Sequence, residues 1–187
     1  MIIFLLLFSQ YFGQNKIQYR DFDFSILKSE HFQIYFYPGE EPLADFAKVT
    51  LEQAYEEYVD LLKTKIDFKI PVIIYASPNE FAQTNVTLEL IEESVGGFTE
   101  IFKNRIVVPF SGSYKEFHHV LRHELVHVFQ FQIFLKSSIS SILTTRILQT
   151  IPLWIIEGMA EYLSVGWNTE ADIYLKDLLL SGKLIPL

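Results

Sequence analysis

The stretch IPVIIYA, residues 70–76, is apolar without interruption. A strand with one wet face alternates, so a continuous run of this length suits a strand buried on both faces. A chain built round such a strand needs other strands beside it. HFQIYFYPG supplies one: Phe32, Ile34 and Phe36 alternate with Gln33, Tyr35 and Tyr37 until Pro38-Gly39 stops the run. SVGGFTE is a glycine-marked bend into a short extended segment, and RIVVP is a further strand ended by Pro109. Over residues 42–62 the period changes. Ala47, Leu51, Ala54, Tyr55, Tyr58 and Leu62 recur at three- and four-residue intervals, which predicts one long amphipathic helix. Ser77-Pro78-Asn79-Glu80 has capping-box spacing and opens a short helix.

From Tyr114 the helical period returns, with Phe117, Leu121, Leu125 and Val128 as its apolar stripe. Strands therefore precede helices, with one long helix among them. That order predicts an α+β fold, a mixed sheet packed against a helical half. KSSISSILTTRILQT is polar-interrupted and reads as a connecting helix or loop.

With 187 residues, half of them hydrophobic, the chain suits one domain with a substantial core. A formal net charge of -8 gives no general attraction to nucleic acid or anionic lipid. The absence of cysteine excludes thiolate metal sites and leaves His, Asp and Glu as ligands for a transition metal. At the amino terminus, MIIFLLLFSQYFGQN has an apolar run too short for the ~20 residues that span a bilayer. It reads as the core of a signal peptide over residues 1–14, with residues 15–187 exported; a buried first strand is the alternative.

RHELVHVFQF sets His123 and His127 four positions apart, with Glu124 directly after the first. On a helix the two imidazoles project from one face, one turn apart, within reach of a single ion. The Glu124 carboxylate is rotated by ~100° from His123, beside the water that such an ion activates rather than on the ion. Zinc lowers the pKa of water towards ~7, and a neighbouring carboxylate accepts its proton during attack on a carbonyl. The five-residue pattern alone also suits two histidines and a glutamate bonded to neighbours in a partly buried helix.

IPLWIIEGMAEYLS adds a second constellation. Pro152 suits a first helical turn, and Glu157 and Glu161 follow one turn apart, with Gly158 and Ala160 between them. Small residues there suggest a close helix crossing at Gly158. Carboxylates within such an apolar run are costly to bury, and a metal ion or a ligating histidine offsets that cost. The alternative is that both face solvent.

Together HELVH and PLWIIEGMAEYLS resemble the gluzincin zinc metallopeptidases, most closely the peptidase MA-like domain that precedes a TolB-like β-propeller in exported bacterial proteins. HFQIYFYPGE, GGFTE and VVPFSGSYKEFHHVLRHELVHVFQF are similar to that domain as well, so the resemblance runs from residue 31 to about 187. It implies a zincin-like fold, a zinc ion held by His123, His127 and Glu157, Glu124 as general base, a peptide or protein substrate, and a periplasmic or envelope location. A β-propeller or another envelope component is the partner it implies. The spacer between His127 and Glu157 is longer than in aminopeptidase-type members.

Other roles stay open. His119 lies four residues before His123, which allows a three-histidine site without Glu157 or a supporting place in the cleft. Glu161 suits the outer N–H of a ligating histidine. Tyr162, Tyr174 and His119 are candidate transition-state donors. Gly97, Phe98 and Thr99 suit an edge strand along which an extended peptide pairs. The function expected is hydrolysis of peptide bonds; the rival, from another class, is a metal-bound scaffold that does not hydrolyse.

Overall fold

The computed structural model describes residues 19–83, 96–100, 104–136 and 151–183. The signal-peptide segment and KSSISSILTTRILQT lie outside these residues. Five strands, β1 (Ser25–Lys28), β2 (Phe32–Phe36), β3 (Ile70–Tyr75), β4 (Phe98–Glu100) and β5 (Arg105–Pro109), form one sheet in the order β1-β2-β3-β5-β4. The inner pairs β2/β3 and β3/β5 are parallel and the outer pairs β1/β2 and β4/β5 antiparallel, so the sheet is mixed. Among the described residues the helices are α1 (Glu41–Leu62), α2 (Pro78–Phe81), α3 (Tyr114–Lys136), α4 (Leu153–Val165) and α5 (Thr169–Leu180). Strands and helices combine as an α+β arrangement.

Register builds the core. Ile34 pairs with Val72 and Val72 with Ile106, a row across β2, β3 and β5 whose three side chains are fully buried. Against it α1 sets Ala47, Leu51 and Ala54 and α3 sets Phe117, Leu121, Leu125 and Val128, all within one buried cluster. Burial of each such Leu, Ile or Phe contributes on the order of 1.5–3 kcal/mol. The alanines let α1 lie close to the sheet.

The other face of β3 is covered too, as an uninterrupted apolar strand requires. Tyr37, Tyr75, Phe81 and Val107 form a second buried cluster, with Phe22 and Phe24 packed on it. The Phe22 ring meets Tyr75 edge-on at 5.4 Å. Arg20 Nη1 reaches Glu80 Oε1 at 2.7 Å, and the Tyr37 hydroxyl donates to the same carboxylate, so residues 20–24 strap this face. Ser77 caps α2 as its spacing predicts, accepting from Glu80 N–H. Glu80 is spent on Arg20 and Tyr37.

Two expectations for α4 are corrected. Pro152 is the N-cap residue, outside the first turn. The helix meets the body through Ile156, Ala160 and Ser164, a stripe spaced by four, whereas a Cβ at Gly158 would find nothing within 4 Å. Close approach is therefore made at Ala160. The face around Gly158 carries the exposed side chains of Trp154, Ile155, Tyr162 and Val165, and α5 buries no residue. No helix among the described residues is long and apolar enough to cross a membrane.

Candidate metal centre

The core-facing stripe of α3 turns its opposite stripe to a cleft. His119, His123 and His127, at four-residue spacing, line it with Glu124, and α4 adds Glu157 and Glu161. The cavity, about 580 Å³, is walled by Gly97, Phe98 and Thr99 on one flank and Leu153 and Ile156 on the other. β4 is an edge strand beside these histidines.

Gly97 is what lets β4 pass so near. A Cβ there would lie 2.9 Å from Val108 Cγ1 and from Val120 Cγ1, both on stiff β-branched side chains. Gly97→Ala is expected to lower stability by about 1–3 kcal/mol, the usual cost of overpacking. The readout is a lower urea midpoint at unchanged m, and an unchanged midpoint would count against it.

Three donors from two helices converge. His127 Nε2 lies 3.2 Å from His123 Nε2, and Glu157 Oε2 lies 3.3 Å from His123 Nε2 and 3.5 Å from His127 Nε2. Zinc binds nitrogen and oxygen at roughly 2.0–2.1 Å, which places tetrahedral ligands about 3.3 Å apart, so the triangle has the right edge. Its chemistry agrees. His127 Nδ1 faces the Gln130 side-chain oxygen at 2.8 Å, and a neutral ring that donates to that oxygen has its lone pair on Nε2. Carboxylate oxygen and imidazole lone pair face one another, a set that asks for a cation. His123, His127 and Glu157 can therefore hold a metal ion.

His123 is half-buried between its neighbours. Burial, then the adjacent His127, pulls its pKa below the usual histidine value, against the opposing pull of Glu157 and Glu161. A neutral imidazole is the form that ligates. Its Nδ1 lies 3.4 Å from Glu161 Oε2, and Glu161 also meets His119 Nε2 at 2.8 Å. His119, His123 and Glu161 thus form a second donor group that shares His123 with the first.

Glu124 is set apart from the triangle. Only 5% exposed, it turns one oxygen to Thr99 Oγ1 on β4 at 2.6 Å. Burial raises its pKa to about 7, with the Thr99 hydrogen bond and His127 opposing and Glu157 assisting. A carboxyl poised there can both take and return a proton near neutrality.

The glutamates of α4 are not buried. Side-chain exposure is 49% for Glu157 and 52% for Glu161, because α4 lies on the surface, so burial cost is not what demands a partner. Facing histidines is what distinguishes them. Tyr162 and Tyr174 are exposed and neither lines the cleft; His119 does. Sequence reasoning missed two contacts, the Thr99 hydroxyl on Glu124 and the Gln130 amide on His127. Gln130 had a signal, its place three residues after His127 on the same helix face. Thr99 had none.

Residues 100–174 match the family model described as "Peptidase of plants and bacteria" (BSP). The matched stretch holds every donor of the triangle. It supports a peptidase-type domain. No curated protein and no solved structure matches the chain.

Proposed function

We propose that the chain is a zinc-dependent metallopeptidase of gluzincin type, exported to the periplasm or envelope, that hydrolyses peptide bonds of a protein or peptide substrate. The supporting observation is the triangle of His123 Nε2, His127 Nε2 and Glu157 Oε2, with edges of 3.2, 3.3 and 3.5 Å and Glu124 beside it. Zinc, when held there, acidifies water and polarises a substrate carbonyl. The remaining work falls to side chains. Glu124, oriented by the Thr99 hydroxyl, receives the proton of the attacking water and returns it to the leaving amine. Glu161 faces the outer nitrogen of His123 at 3.4 Å, and β4, at the end of the sheet among the described residues, is the strand along which an extended substrate backbone pairs. His119, the candidate donor that lines the cleft, stands on the carboxylate side of α3.

The second reading, a metal-holding scaffold without turnover, draws on the exposed Trp154, Tyr162, Trp167 and Tyr174 of α4 and its neighbourhood. Apolar surface concentrated in this way suits contact with a partner such as a β-propeller domain. Turnover separates the two. Cleavage of unfolded proteins and peptides by the purified protein should vanish with a chelator and return on addition of zinc. Zinc bound at one equivalent with no cleavage across the panel favours the scaffold, and cleavage indifferent to chelator sinks both.

A further inference from the structure

Gln130 is 1% exposed, on α3 three residues beyond His127, and the mechanism above gives it no part. Its Nε2 donates to the carbonyl of Ile156 on α4 at 2.9 Å. A carbonyl only accepts, so this contact decides which end of the amide points which way. Oε1 must then face His127 Nδ1, 2.8 Å away. An oxygen acceptor at that distance requires the proton on Nδ1. A neutral imidazole has one such proton, so Nε2 keeps its lone pair, and that lone pair faces His123 and Glu157.

We propose that Gln130 is a positioning residue that transmits the α4 backbone to the His127 ring, selecting its Nδ1–H tautomer and fixing the register of Glu157, the residue after Ile156. Its consequence for metal rests on the zinc-site reading above, but the tautomer is a property of the metal-free protein. Both halves of the donor triangle are involved. His127 comes from α3 and Glu157 from α4, and a single buried amide bridges the two helices, touching the first donor itself and the residue before the second. An amide serving only as satisfied core would have no bearing on which nitrogen of His127 carries hydrogen.

Two variants separate the contacts. Gln130→Glu keeps an acceptor for Nδ1–H and loses the donor to Ile156; Gln130→Leu loses both. Long-range proton–nitrogen correlation spectra of the metal-free proteins read the His127 tautomer, and titration with zinc against a competing chelator reads affinity. The wild type and Gln130→Glu should show the Nδ1–H form, and Gln130→Leu a shift to the Nε2–H form. Gln130→Leu should bind zinc ~10- to 100-fold more weakly, the usual loss when a ligating histidine loses its outer partner. Gln130→Glu should fall between. An Nε2–H tautomer in the wild type overturns the proposal, as does Gln130→Leu with an unchanged tautomer and an affinity within about twofold of wild type. If Gln130→Leu fails to fold, the Gln130→Glu tautomer decides: Nδ1–H supports the assignment and Nε2–H overturns it. A wild type that takes up no zinc but shows the expected tautomer pattern removes the metallopeptidase reading and leaves the Gln130 assignment standing.

Discussion

Glu124→Gln is expected to leave zinc bound and to lower peptidase turnover by ~10²–10⁴, the range for loss of a positioned general base. The substitution is close to isosteric. The Thr99 hydroxyl, 2.6 Å from Glu124 Oε2, can donate equally to an amide oxygen, so the NH₂ end takes the cleft-facing place of the other carboxylate oxygen. A buried ionisable group is replaced by a neutral one, which removes a desolvation cost. Fold and donor triangle should therefore survive, and the change falls on proton transfer. Metal content by elemental analysis, alongside kcat and kcat/KM, checks this. Equal losses in kcat and kcat/KM are expected, because the interaction removed belongs to the transition state. An unchanged kcat in fully zinc-loaded protein would take Glu124 out of the mechanism.

Much of the frame was legible because local pattern and tertiary burial agree. Ile70–Tyr75 reads as a strand buried on both faces, and the structure sets it between two parallel neighbours with clusters above and below. Along α3, the core stripe of Phe117, Leu121, Leu125 and Val128 leaves the histidines to the cleft, which follows from helical geometry alone. Other parts depend on contacts far apart in the chain. Residues 20–24 acquire their role through distant partners: Phe22 and Phe24 pack on Tyr37 and Tyr75, and Arg20 meets Glu80, some sixty residues on. Thr99 and Glu124 are neighbours only once β4 lies against α3, an approach that turns on Gly97 having no Cβ. The reading of α4 failed for another reason. Gly158 and Ala160 are both small, and smallness says that a helix can be approached without saying from which side. Ala160 falls in the stripe with Ile156 and Ser164; Gly158 falls about half a turn away, among exposed aromatic residues.

Glu157→Gln is expected to strip most of the zinc, whereas Glu161→Gln should retain it with an affinity ~10- to 100-fold weaker and His119→Ala should retain it as well. Two donor groups compete for the ion, and they share His123. The first approaches its Nε2 with Glu157 at 3.3 Å; the second approaches its Nδ1 with Glu161 at 3.4 Å. A neutral imidazole has one lone pair, so His123 can serve only one group at a time. The second group is already satisfied: His119 Nε2 and Glu161 Oε2 stand 2.8 Å apart, a hydrogen-bond length that needs a proton between them and no metal. The first group has more acceptors than protons: with His127 in the Nδ1–H form, a neutral His123 has at most one Nε2 proton to share between Glu157 Oε2 at 3.3 Å and His127 Nε2 at 3.2 Å. Removing the Glu157 charge leaves an ion with two imidazoles from one helix, one protein ligand short of the three that a catalytic zinc site uses. Removing the Glu161 charge loosens the outer nitrogen of His123 but keeps all three ligands. Metal analysis of the three variants after identical dialysis decides between the groups. Full zinc in Glu157→Gln together with loss in both Glu161→Gln and His119→Ala would move the ion to the second group and end the gluzincin assignment.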